Sequence, residues 1–194
     1  MNHSVIRQFI AIAILFCSIS GFAQNDNSKP ENAYPFCDTS GVSFPGGVNV
    51  PDAFPTPKGC LETSPNPAWF YFRVDVAGSL IFTINSTPAT DIDFIAWGPF
   101  THLNLGDVTQ YIEQNQIDCS YSGATSEQID VSNAQVGDYF VVLVTNYSNT
   151  PNSINFDQTG GTGSTDCNLF VGSSNSPICE GQKLKPLSSL NPSL

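Results

Sequence analysis

The sequence predicts an all-β fold: an antiparallel β-sandwich of seven to nine strands with little or no helix. Three observations carry that prediction. Apolar side chains recur at every second position over residues 68–76, 79–84, 91–97 and 138–147, the period of strands that bury at least one face. Clusters of Gly, Pro, Asn and Ser separate these runs, as turns require. A helical period shows only weakly at 101–116, where Gly106 interrupts Leu103, Leu105, Val108, Tyr111 and Ile112. That segment reads as a loop with at most a short helix.

The elements follow in order. Residues 32–67 are rich in Pro, Gly, Asn and Ser and read as extended, irregular chain lying over the core, pinned by Cys37 and Cys60. From Ala68 to Val76, Phe70, Phe72, Val74 and Val76 share one face, with Trp69, Tyr71, Arg73 and Asp75 on the other. Ala77-Gly78 then turns the chain, and Leu80, Phe82 and Ile84 align on a second run, which together predict a hairpin. The central strand is Asp91–Trp97, with Ile92, Phe94 and Ala96 directed one way and Asp93, Ile95 and Trp97 the other. Gly98-Pro99 should end it, because proline has no ladder donor. A weaker strand is predicted at 126–131, a strong one at 138–147 and a last one around Ile154 and Phe156. Residues 158–166, with Gly160, Gly161 and Gly163, read as a flexible exit.

The domain organisation follows from composition. Residues 1–23 have the form of a secretory signal peptide: Arg7 and no acid at the start, an apolar run from Phe9 to Ile19, and Gly21-Phe22-Ala23 before the cleavage point. The bulky Phe16 before Cys17 argues against lipoprotein processing. Residues 24–36 form a disordered leader, 37–170 the sandwich module, and 171–194 a linker with the start of a further strand. No segment after the signal is apolar and long enough to insert in a membrane.

Charge narrows the partners. Across residues 31–170 the cations are Lys58 and Arg73, against fifteen Asp and Glu, and the whole chain carries a formal charge of −11. Such a field repels phosphate backbones, which excludes nucleic acid, and disfavours anionic lipid. It suits a soluble protein outside the cell.

Five cysteines remain after signal cleavage, and in an exported chain they predict disulfides. Order along the chain suggests Cys37–Cys60 and Cys119–Cys167, with Cys179 unpaired. There is no C-x-x-C, and a single mature histidine, His102, excludes the usual mixed zinc sites.

Chemistry has few candidates. A Ser-His-Asp site would have to use His102, and no G-x-S-x-G elbow accompanies it. No H-E-x-x-H, phosphate loop or dinucleotide fingerprint is present. Asp91 and Asp93, at i and i+2 on a strand, share a face and would suit calcium; the competing expectation is that Asp91 caps a turn and Asp93 faces solvent. Trp69, Tyr71 and Trp97 would make an aromatic platform for sugar rings, although packing between sheets is the commoner fate of Trp in a sandwich. Asn85-Ser86-Thr87 and Asn146-Tyr147-Ser148 match the N-glycosylation pattern, a short motif that carries little weight by itself.

Several of these segments form an ordered set. Trp69-Phe70-Tyr71-Phe72, Gly78-Ser79-Leu80, Asp91-Ile92-Asp93-Phe94 and Gly137-Asp138-Tyr139-Phe140-Val141-Val142-Leu143-Val144-Thr145-Asn146 together resemble the bacterial pre-peptidase C-terminal domain family. That resemblance implies a jelly-roll-like sandwich carried as an accessory module by secreted enzymes and surface proteins. Gly59-Cys60, Trp97-Gly98-Pro99-Phe100, Asp118-Cys119-Ser120-Tyr121-Ser122 and the run from Gln158 to Cys167 extend it. With them the chain is similar to the N-terminal module of large adhesin-like surface proteins of gliding bacteria, exported by type IX secretion. In those proteins a segment like Pro177-Ile178-Cys179-Glu180-Gly181-Gln182 opens an immunoglobulin-like repeat, so the resemblance implies that the chain stops early in such a repeat, where the partner of Cys179 would lie. It implies a non-catalytic role in adhesion or as a spacer, at the cell surface or in the medium, with no cofactor and with an extracellular protein or glycan as partner. The alternative is a carbohydrate- or substrate-binding accessory module of a secreted hydrolase, and an enzyme domain would then have to share the polypeptide.

Overall fold

The structure, a computed structural model, describes residues 27–37, 41–52 and 59–172. The signal segment, Lys58, Cys179 and the linker from 173 onward lie outside the described residues.

Among the described residues ten strands form two sheets packed face to face, so the chain is an all-β sandwich. They are β1 (Tyr34–Pro35), β2 (Val42–Pro45), β3 (Pro67–Val76), β4 (Gly78–Thr87), β5 (Asp93–Phe100), β6 (Gln116–Ser120), β7 (Ser126–Ala134), β8 (Tyr139–Thr145), β9 (Ser153–Gly161) and β10 (Ser164–Thr165). One sheet runs β1-β3-β8-β5-β6, with β10 also on β3; the other runs β2-β9-β4-β7. Every pairing is antiparallel except β1 on β3. Between β5 and β6 lie two short 3-10 turns, Val108–Gln110 and Glu113–Asn115.

Alternation sorts the side chains into the two layers that this architecture needs. Phe70, Phe72 and Val74 of β3, Phe94 and Ala96 of β5, and Phe140, Val142 and Val144 of β8 point inward. They meet Leu80, Phe82 and Ile84 of β4, Ile129 and Val131 of β7, and Ile154 and Phe156 of β9. Phe36 closes this core, stacked on Phe156 with centroids 4.3 Å apart. The opposite face of the larger sheet is buried as well. Trp69, Ile95, Trp97, Val141 and Leu143 lie under a cover made by Ala33, Leu61 and Tyr111. Strands buried on both faces explain why 91–97 and 139–145 are apolar nearly throughout.

The predicted hairpin is not one. β3 and β4 are consecutive but belong to different sheets: β3 pairs with β8, and β4 with β7 and β9. At the crossing, Gly78 has φ +151°, and a Cβ there would stand 2.7 Å from the amide of Gly163. Glycine therefore permits a change of sheet rather than a tight return. Gly98-Pro99 does not end β5 either. The strand continues to Phe100 through a shift of register after Trp97. Gly98 lets two backbones approach, since a Cβ would sit 2.9 Å from the Tyr139 carbonyl oxygen.

Two further expectations are corrected. The exit at 158–166 is ordered pairing: β9 runs to Gly161 beside β4, and β10 pairs with β3. The covering segment contains β1 and β2, and its polar side chains hold it down. Asn66 accepts from the Val50 amide at 2.7 Å and donates to the Asn146 carbonyl at 3.0 Å, while the Thr145 hydroxyl donates to the Pro65 carbonyl.

Candidate functional site

The disulfides differ from the order-based pairing. Cys37 bonds Cys167 and Cys60 bonds Cys119, with Cα separations of 5.1 and 6.1 Å. The first joins the two ends of the module. β1 runs parallel to β3 opposite Phe70 and Tyr71, and β10 runs antiparallel to it opposite Val74 and Val76. The two short strands thus approach each other head-on along one edge of β3, and each cysteine lies two residues past its strand's end, where they meet. The second clamps the covering segment to β6, with Cys119 opposite Ile95. Chain order misled because the topology, not proximity in sequence, decides which cysteines meet.

Trp69 and Trp97 are wholly buried and stacked, with centroids 5.7 Å apart and planes 10° apart. Tyr111 tilts onto both at 5.2 Å and donates from its hydroxyl to the Leu105 carbonyl at 3.1 Å. Burial pushes its phenol up to about 12. The sugar platform imagined from Trp69, Tyr71 and Trp97 is therefore interior: both indoles serve packing, and Tyr71 is half-buried at their edge. His102 lies exposed in the loop after β5.

Asp93 does not face solvent. It is 1% exposed, and its Oδ1 accepts the Ser122 amide at 2.8 Å, fastening the β6–β7 turn to the head of β5. Burial raises its pKa to about 6; the Ser122 N–H opposes this, and Asp91 and Glu127 add to it. Asp91 is likewise raised by burial, and its Oδ1 is buried without a hydrogen-bond partner. The backbone carbonyl of Asp91 accepts the Ser148 amide at 3.3 Å. These two carboxylates are the residues that could contribute to a cation site. Among the described residues, however, no three Asp, Glu, His or Cys side chains are grouped to hold a metal ion.

The same end of the sandwich carries a feature that sequence reasoning missed. Tyr121 and Tyr147 come together from the turns after β6 and β8, their rings edge to face at 5.6 Å, with the Tyr121 hydroxyl donating to that of Tyr147 at 3.1 Å. Ser122, next in the chain, donates from its hydroxyl to Glu127 at 2.8 Å. The only signal in the sequence was a tyrosine in each of two polar turns, with nothing to bring them together. Of the two glycosylation patterns, the one at Asn146 is closed. Asn146 is fully buried and its amide donates to the Gly47 and Thr150 carbonyls, while Asn85 accepts from Asn155 at 3.1 Å.

Comparison with protein-family models and with curated proteins finds no match. Among solved structures, the chain shows a likeness to the pre-peptidase C-terminal domain of collagenase from Bacillus anthracis. The two are 10% identical, the match covers 68% of this chain and 98% of that one, and the TM-score is 0.38.

Proposed function

We propose that this chain is an exported, non-catalytic β-sandwich module of a cell-surface adhesin-like protein, serving adhesion or spacing. The observation that supports it most is where the candidate side chains have gone. Trp69 and Trp97 are stacked in a closed layer, Asp93 holds a turn, and the four described cysteines form disulfides that tie down the ends and the cover. Side chains engaged in this way stiffen a scaffold, and two disulfides suit an oxidising compartment outside the cytoplasm. The acidic composition fits an extracellular protein or glycan as partner and disfavours nucleic acid. Type IX export and a place in a gliding-motility surface protein belong to the same proposal, on the strength of the sequence resemblance alone. The alternative, a substrate-binding accessory module of a secreted hydrolase, loses its platform with both indoles buried.

Fractionation of a native host, combined with a broad screen of peptide and glycan substrates, tests this reading. The expected result is protein in the envelope or medium and no turnover. Turnover abolished by His102→Ala or Asp93→Asn would replace the proposal with an enzyme, and confinement to the cytoplasm would remove the export half.

A further inference from the structure

Tyr121 and Tyr147 stand out against the rest of the aromatic residues. Trp69, Trp97, Tyr111 and the phenylalanines of β3, β4, β8 and β9 are interior, whereas these two rings are 36% and 39% exposed. Their planes are 82° apart, so the pair offers two ring faces in different directions. Acidic residues lie near the pair. Glu62 lies close enough to act electrostatically on the Tyr121 phenol. Ser122, adjoining Tyr121, binds both Asp93 and Glu127, and Ser148, adjoining Tyr147, binds the backbone of Asp91. Among the described residues the only lysine and arginine are Lys29 and Arg73, and Arg73 is paired at 2.9 Å with Asp166, which follows β10.

We propose that the Tyr121–Tyr147 pair, with Glu62 and Glu127 beside it, is a docking point for an arginine or lysine side chain of a protein partner. The π face of a tyrosine attracts a cation, and carboxylates beside it deepen the negative potential there. A guanidinium suits the place best, because it is planar, weakly hydrated, and stacks on a ring while its N–H groups reach carboxylates. A neutral sugar would stack on the same rings but would draw nothing from the surrounding negative charge. The overall charge of −11 would also steer a basic partner toward this chain. The inference rests on the adhesion reading above and names the chemistry of the partner.

Amide NMR of the isotopically labelled protein tests it. The probe is the blocked tripeptide acetyl-Gly-Arg-Gly-amide, compared with the same peptide carrying neutral citrulline and with an N-acetylglucosamine disaccharide. The arginine peptide should shift the Ser122 and Ser148 amides saturably at millimolar concentration, and neither of the others should. Replacing both rings (Tyr121→Ala with Tyr147→Ala) should weaken that binding roughly tenfold, the size of a cation–π contact. Tyr121→Phe, which keeps the ring face, should bind like the parent protein, and a well-dispersed spectrum confirms that each variant folds. Equal binding of the citrulline peptide, equal binding by the double alanine variant, a saturable shift from the sugar alone, or no saturable shift from any probe would each overturn the inference. Those outcomes leave the non-catalytic module standing, whereas substrate turnover removes the module reading without altering the titration.

Discussion

Cys37 and Cys167 are separated by 130 residues, and their bond closes the module at the point where two short strands meet end to end along one edge of β3. Neither strand has many ladder bonds of its own: β1 and β10 contain two residues each. The covalent link therefore holds both against fraying. In the chain-entropy account a loop of this length contributes about 5 kcal/mol and the 59-residue loop of Cys60–Cys119 about 4 kcal/mol. Replacing Cys37 and Cys167 together by serine should lower stability by several kcal/mol and speed hydrogen exchange at Phe36 and Asp166, whose amides donate to the carbonyls of Tyr71 and Arg73. Non-reducing peptide mapping provides the direct check; recovery of a Cys37–Cys60 peptide would contradict the observed pairing.

Gly98 sits where β5 passes the start of β8. A methyl group there would meet the Tyr139 carbonyl oxygen at 2.9 Å and a Phe140 ring carbon at 2.5 Å, at a φ of +145° that side chains rarely adopt. Gly98→Ala should cost about 1–3 kcal/mol, as overpacking does. Gly106→Ala is the control, because nothing lies within 4 Å of its Cβ position. Equal urea midpoints for the two variants would show that β5 and β8 are not so closely apposed.

Much of the sandwich was legible because its signal is periodic. The alternation of Phe94 and Ala96 with Ile95 and Trp97 is the division of β5 between the inner core and the covered outer layer. What failed was whatever depends on a distant partner. A glycine-containing turn looks the same whether the chain returns beside itself or crosses to another sheet, so β3 and β4 read as a hairpin. β6 carries Gln116, Asp118 and Ser120 among half-buried positions and has little apolar contrast to reveal it. Tyr121 and Tyr147 meet only because β5 lies between β6 and β8 in the sheet, which brings their following turns to one end. The burial of Asp93 was hidden for a related reason: its stabilising partner is an amide 29 positions away, invisible to any local pattern.

The stacked indoles yield a prediction about the outer layer. Trp69 and Trp97 pack against each other and Tyr111, beneath Leu61 and the Cys60–Cys119 clamp. Trp97→Ala should lower stability by about 3–5 kcal/mol, the usual range for a buried indole lost to a cavity. Trp97→Phe should recover part of it. Glycan binding is the discriminating readout. If a carbohydrate ligand is found and Trp97→Ala abolishes its binding while the thermal midpoint stays unchanged, the indole is a surface platform and its interior placement is wrong.

Asp93 sets a pH dependence whose direction follows from its surroundings. Its pKa is raised to about 6 in the folded protein, against an ordinary value of about 3.9 for an unfolded chain. Between those values the folded state holds more protons than the unfolded one, so stability declines as pH rises from about 4 to about 6 and stays lower above that. Asp166 works in the opposite sense. The Asn168 amide and Arg73 lower its pKa, so its contribution is lost only as pH falls below the ordinary carboxylate range. Asp93→Asn keeps an oxygen to accept the Ser122 amide but removes the titrating charge beside Asp91 and Glu127. The variant should therefore be more stable than the parent at pH 7.5, and the difference should shrink toward pH 4.5. Urea titrations at these two pH values measure it. A gap that is the same at both would mean that the buried carboxyl does not titrate in this window, and a variant less stable at pH 7.5 would mean that the charged form of Asp93 is what holds the β6–β7 turn.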